Sequence, residues 1–331
     1  MMWDALIQLL DPISRYGVPV MIVLMLVALG GLFSERSGVV NIALEGIMVM
    51  GGFICAVVIF FMTVTNDWPL QWAVLCGLLA GALAGMVFSI AHAFASVSMN
   101  SNQIISATAL NIFAPAIAVF TARTFYINPV TRQATDKIII SASYRIDVPF
   151  LENIPLIGGF LFQNAFLSTF IGLGVLLIVY IVFMKTRLGL RIQSCGENPH
   201  AADSLGINVY KVRYIGILIS GLLAGLGGAA YIVSFHNGFD GHVHGMGFLA
   251  LAILISGQWK PLRVFVFSII FSFMYVVQSQ YDSLMLLRNI DLPRQIYEMV
   301  PYVLTLVILV IFSKESQAPK AIGEPYDASK R

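Results

Sequence analysis

Long apolar runs separated by short polar islands fill the chain from residue 17 to residue 313. A run of about 20 apolar residues predicts a membrane-crossing helix, because each residue advances ~1.5 Å against ~30 Å of hydrocarbon. The first run, 17–33, ends at Ser34-Glu35-Arg36-Ser37-Gly38. The second, 39–63, carries Asn41, Glu45 and the pair Gly51-Gly52 in its interior. Trp68 and Trp72 mark a membrane interface before the third run, 72–96, whose GLLAGALAG lets helix backbones approach closely. The turn 99–103 leads into 104–126, with Ser106, Thr108 and Asn111 inside it. Further spans read as 163–184, 214–235, a short 247–258, 264–279 and 298–313. Residues 1–16 alternate apolar and polar positions and predict an interfacial segment. Within the long loop 127–162 the segment KIIISASYRIDVPF predicts a small strand or surface hairpin, and the tail 314–331 is polar and reads as partly disordered. The fold expected is an all-α polytopic membrane protein of eight to ten transmembrane helices.

Composition agrees. Only 11% of the 331 residues are charged and 58% are hydrophobic, against ~25% charged in an average soluble domain. Such a chain takes lipid as its solvent, and nothing in it suggests nucleic acid as a partner. The three cysteines, Cys55, Cys76 and Cys195, show no paired spacing, so neither a disulfide framework nor a zinc site is expected. Asp4 and Asp11 precede the first basic residue, Arg15, unlike the start of a cleaved secretory signal. Uncompensated Lys and Arg concentrate in 185–213, 259–263 and the tail, which places those segments in the cytoplasm. The turn 236–246 and the charge-balanced loop 127–162 then face outside, and counting back puts the N-terminus outside with Arg36 inside.

The polar island LGLRIQSCGENPHAADSLGINVYKVR contains a miniature helix with both ends marked. Asn198 is a good N-cap, Pro199 fits the first helical position, and Gly206 is a natural stop. A helix over 199–205 is ~10 Å long and too short to stand alone. Ala201 and Leu205 share a face. The segment reads either as a peg that docks into a soluble partner or as a capped turn between two membrane helices.

Ionisable groups inside apolar runs are expensive and mark pathways or pairs. Glu35, Arg36 and Glu45 are of this kind, with Asn41 and Glu45 on one helix face. Asn102, Gln103 and Asn111 offer hydrogen bonds either to a polar solute or between helices. His236, His242 and His244 cluster with Asp240, a grouping that suits an outer mouth or a metal. No GxxxxGK[ST], GxSxG or HExxH occurs, so no ATPase, hydrolase or zinc-protease motif resides here. Residues 31–52 and 238–257 share a texture: a Gly-rich polar break joined to a short apolar helix that ends in glycine. Paired interruptions in two halves of a chain suggest an inverted repeat with interrupted helices around a substrate path.

The run from Glu35 to Gly46, ERSGVVNIALEG, resembles the hallmark of the permease subunits of bacterial ABC importers for nucleosides and simple sugars, within the ribose and branched-chain amino acid permease group. Gly196-Glu197-Asn198-Pro199, Ala201-Ala202 and Leu205-Gly206-Ile207 resemble the cytoplasmic coupling segment of the same family, and Gly245–Phe248 through Trp259-Lys260-Pro261 matches a third region. The resemblance implies a transmembrane permease domain, 17–313, in a bacterial inner membrane. It implies that a nucleoside or simple sugar is moved inward by alternating access. Glu197, Asn198, Pro199, Ala201, Ala202, Leu205 and Gly206 would couple to the ATPase, and Glu35, Asn41, Glu45, Asn102, Gln103, Asn111, His236 and His244 would line the pathway. It implies an ABC ATPase subunit that binds ATP and Mg, a second permease, an extracytoplasmic substrate-binding lipoprotein and surrounding lipid, with no cofactor in this chain. The long polar loop 127–162 and the histidines of 236–244 depart from the family pattern. The alternatives are a standalone secondary transporter using Glu45 as a proton-carrying carboxylate, and a membrane enzyme using the histidine cluster.

Overall fold

A computed structural model of the chain describes residues 13–126, 135, 137–140, 144–146, 164–235, 238–281, 293–312 and 317–327. A π-helical turn, Ile13–Gly17, leads into α1, Val18–Arg36, so the first apolar helix begins inside the segment expected to lie at the interface. The helices that follow are α2, Leu44–Phe60, α3, Leu70–Ala93, and α4, Gln103–Phe125; α2 and α3 each run on through a π-helical turn, Phe61–Thr65 and Phe94–Ser98. Then come α5, Leu167–Lys185, α6, Arg187–Glu197, the short α7, Pro199–Ser204, and the long α8, Val209–Phe235. The chain closes with α9, Met246–Ser256, α10, Pro261–Gln280, and α11, Arg294–Phe312. Seven of the described helices are long and apolar enough to cross a membrane, and α9 is a shorter apolar one.

Helix α1 is the axis of the molecule. Its apolar stretch is wholly buried, with Val20, Leu24, Leu26 and Leu29 fully covered. A helix apolar on every side satisfies lipid or protein equally well; here α5, α8, α9 and α10 surround it. Small residues allow that crowding. A β-carbon on Gly51 of α2 would collide with Gly225 of α8, and one on Gly85 of α3 with the Gly221 carbonyl of α8. Backbone-to-backbone contact of this kind is the usual basis of helix association where no hydrophobic drive exists between helices. The lipid-facing shell is apolar but exposed, as at Ile112, Phe120 and Leu306.

Elements assigned by charge to one side of the membrane meet at one end. Arg36, Glu197, Trp259 and the tail are in contact there. At the opposite end, β1, Ile138–Ile139, pairs antiparallel with β4, Gly238–Phe239, and β2, Arg145–Ile146, pairs with β3, Ala165–Phe166. The segment KIIISASYRIDVPF does carry short strands, and among the described residues they pair with other segments instead of with each other. β1 takes its partner about a hundred positions along the chain and β2 takes one about twenty on, while Ile138 and Ile140 are buried. The tail also differs from expectation: residues 317–327 run as a strap across the inner end.

Candidate functional site

The marked peg exists, and its ends are built as the residue types dictate. Asn198 Oδ1 accepts the Ala201 N–H at 3.0 Å, capping α7 at its start. At its end Gly206 takes φ +80°, its N–H donates to the Asp203 carbonyl at 2.8 Å, and the Ile207 N–H reaches the Ala202 carbonyl at 3.1 Å. That pair of reversed bonds is the Schellman closure. Pro199 and Ala202 are buried against the permease body, while His200, Ala201, Ser204 and Leu205 stand outward, Leu205 at 82% exposure.

The peg is tied inward. Glu197 lies 3.6 Å from the Arg36 guanidinium. Arg36 Nε and Nη2 donate to the Trp259 carbonyl at 3.1 and 3.0 Å, and the Trp259 indole N–H donates to Glu35 at 2.5 Å. Arg36 and Glu35 thus grip the turn that ends α9, where Gln258 and Trp259 sit in the left-handed region at φ +50° and +52°. Non-glycine residues in that region store ~1–3 kcal/mol each and persist only where their surroundings hold them. The strap adds backbone ties: the Ala321 N–H donates to the Gly196 carbonyl at 2.9 Å and the Gly323 N–H to the Gly38 carbonyl at 3.1 Å. Tyr326 packs its ring beside His200 of α7, at 5.2 Å between centroids.

Residues 37–43 are non-helical, and they lie among buried helices. Backbone without regular structure survives at membrane depth only where other groups satisfy it. Here side chains do so one by one. Ser34 Oγ donates to the Val39 carbonyl at 2.8 Å, and Gln103 Oε1 accepts the Val40 N–H at 2.7 Å. His92 bridges the Val40 carbonyl and the Ser106 hydroxyl, each at 3.0 Å. Asn111 Nδ2 donates to the Ile42 carbonyl at 2.9 Å while its Oδ1 accepts the Gly46 N–H at 2.8 Å, and Asn41 donates to Ser220 Oγ at 2.9 Å. Asn41, Gln103 and Asn111 therefore grip protein; Asn102 caps α4 by accepting the Ile104 and Ile105 N–H groups.

Glu45 does something different. Its Oε1 accepts the Gly245 N–H at 2.8 Å and its Oε2 the Gly247 N–H at 2.7 Å, so one carboxylate caps the start of α9. An acceptor-only group is matched to the orphan donors and positive end of a helix. Glu45 at one end and the Arg36 guanidinium at the other match the α9 dipole with charges of the appropriate sign. The two texture-matched breaks thus meet. Eleven residues give α9 a length of ~16 Å, about half the hydrocarbon core. His244, beside this junction, takes φ +55° and bonds the Tyr231 hydroxyl at 3.1 Å, whereas His236 lies outside the described residues.

His92, Ser220 and the strap carry the arrangement without having been singled out from sequence, and Gly196 and Trp259 entered there only within longer family-like runs. A histidine alone in the polar-poor run 72–96 was the available signal for His92.

The family described as the branched-chain amino acid transport system permease component matches residues 15–309. The chain is 39% identical to the nucleoside ABC transporter permease protein NupC of Lactococcus lactis, covering 93% of this chain and 94% of NupC. It is 38% identical to the guanosine ABC transporter permease protein NupQ of Bacillus subtilis, over 93% of this chain and 94% of NupQ. A second nucleoside ABC transporter permease protein of L. lactis, NupB, is 25% identical over 90% of this chain and 79% of NupB.

Proposed function

This chain belongs to the branched-chain amino acid transport permease family and is a membrane permease subunit of an ABC importer, and from that premise we propose that its cargo is a nucleoside and that α9 is the lever through which a separate ATPase moves it. The names of two relatives at 38–39% identity support the nucleoside assignment. Two permease proteins in one organism, at 39% and 25% identity, support a pore of two different permease chains, this one being of the first kind.

One observation carries the mechanism: α9 is held at both ends by charges from one short motif, and the inner hold reaches the peg through Glu197. ATP and Mg²⁺ reside on the ATPase, whose groove takes the outward face of α7, and this chain performs no hydrolysis. Closure of the ATPase displaces α7. Glu197 and Gly196 pass the displacement to Arg36, Arg36 to Trp259, and the rigid α9 carries it ~16 Å to the Glu45 cap. Shifting that cap opens and closes the route between the outer mouth and the cytoplasm, which is alternating access by rigid elements. A substrate-binding lipoprotein delivers cargo at the outer end, where the short strands lie.

The test is Arg36→Ala in the complete complex in proteoliposomes. Charge-assisted bonds contribute ~1.5–3 kcal/mol each, so nucleoside uptake should fall at least tenfold while ATP hydrolysis continues. Uptake at the wild-type rate would refute the lever.

A further inference from the structure

Beside the Glu45 cap, toward the outer end, lies a cavity of about 370 Å³. Its size falls within the ~300–1,000 Å³ usual for small-molecule sites. Its walls are largely aromatic: Tyr16 from the first π-helical turn, Tyr231 and Phe235 from α8, Tyr275 from α10 and Tyr302 from α11, with His244, Gln278 and Ser279 adding polar edges. Tyr231 and Phe235 are one helical turn apart with ring centroids 5.5 Å from each other. Tyr231 holds His244 by the hydroxyl bond described above, and His244 adjoins Gly245, whose N–H Glu45 accepts. Leu249, on the first turn of α9, is also in the wall. The cavity therefore shares a wall with the lever.

We propose that this cavity is a way station for the nucleobase of an incoming nucleoside, the base stacking on the tyrosine faces while Gln278 and His244 address its polar edge. The inference rests on the nucleoside reading above. Every base offers a π-face, and stacking on an aromatic side chain contributes ~1–3 kcal/mol. That strength suits a site that must receive cargo and release it. The aromatic faces suit a flat base, and the hydroxyl groups of Tyr16, Tyr302 and Ser279 in the same wall suit the ribose attached to it. Among the described residues the wall contains no Asp, Glu, Lys or Arg, as suits a neutral ligand. Because Leu249 and His244 flank the α9 start, displacement of α9 changes the shape of the station and expels the base inward.

The experiment uses the assembled importer in proteoliposomes with guanosine as probe and ribose as comparison. Wild type, Tyr275→Ala and Tyr275→Phe are compared for uptake and for the ATP hydrolysis stimulated by loaded binding protein. Tyr275→Ala should lower guanosine uptake about tenfold or more with hydrolysis within about twofold of wild type. Tyr275→Phe, which keeps the ring, should transport near the wild-type rate, and Gln278→Ala should change the relative rates of purine and pyrimidine nucleosides. Wild-type guanosine uptake by Tyr275→Ala overturns the way station and leaves the importer reading standing. Equal loss in the alanine and phenylalanine variants together with lost hydrolysis overturns it as well, by revealing a purely structural tyrosine. A wild-type complex that carries ribose and no nucleoside overturns both readings.

Discussion

The two breaks in the helical pattern, 37–43 and 240–245, look alike in sequence and are anchored in opposite ways. The first is fastened by many small ties from four directions: Ser34 on α1, His92 on α3, Gln103 and Asn111 on α4, and Ser220 on α8. The second is tied differently: Asp240 accepts the His242 N–H within its own turn, His244 bonds the Tyr231 hydroxyl, and two N–H groups at the start of α9 share one carboxylate. Distributed anchoring resists displacement because losing any one tie leaves the others in place. Concentrated anchoring makes a joint. On the proposed lever the first break is the fixed seat and the second the moving part, and Glu45 is where they touch.

The sharpest way to break that contrast is Glu45→Leu. Two N–H donors at the start of α9 lose their shared acceptor, and each buried donor left unpaired costs ~1–3 kcal/mol. Nucleoside uptake should drop by two orders of magnitude or more while the complex still assembles, read by co-purification of the ATPase. Retained uptake would show that the second break does not depend on this carboxylate. Next in size is His92→Phe, which strips the Val40 carbonyl of its donor. The cost should be ~1–3 kcal/mol, seen as a lowered Tm in detergent, with uptake near normal below the melting range. Lost uptake without lost stability would make the first break a moving part too.

The smallest effect concerns Cys195, which lies next to Gly196 under the inner anchor and is fully buried. Burial pushes its thiol up to about 11. The thiolate is the reactive form, so at pH 8 only ~1 in 1,000 of these thiols is reactive, and alkylation should quicken about tenfold per pH unit toward 11. Glu45→Leu should leave this protection intact if only the second break loosens. Fast alkylation at pH 8 in that variant, measured by mass shift, would mean that both anchors yield together.

The division between what was readable in advance and what was not follows from where the physical causes lie. α7 was legible because Asn198, Pro199 and Gly206 act on their own neighbours. Glu35, Asn41 and Glu45 were legible as costly groups in apolar runs. Their partners were not, since Trp259 stands 224 positions from Glu35 and Gly245 stands 200 from Glu45. Trp259 read only as part of a basic break. Asn41, Gln103 and Asn111 looked equally suited to a solute or to a neighbouring helix, and only their bonds to Ser220, Val40, Ile42 and Gly46 show which groups they hold. The strap was misjudged as loose because two of its ties are backbone to backbone, which leave no trace in residue type.

The strap lies downstream of every helix it fastens, joining Gly38, Gly196, His200 and Tyr210 only after all of them have been synthesised. The surface beneath α7 is therefore completed late, and on the proposed docking a ribosome-bound chain would offer the motor an unfinished socket. Premature recruitment is disfavoured by the order of manufacture itself. For the same reason a purification tag set directly after residue 327 would pull on the part of the protein that seals that socket.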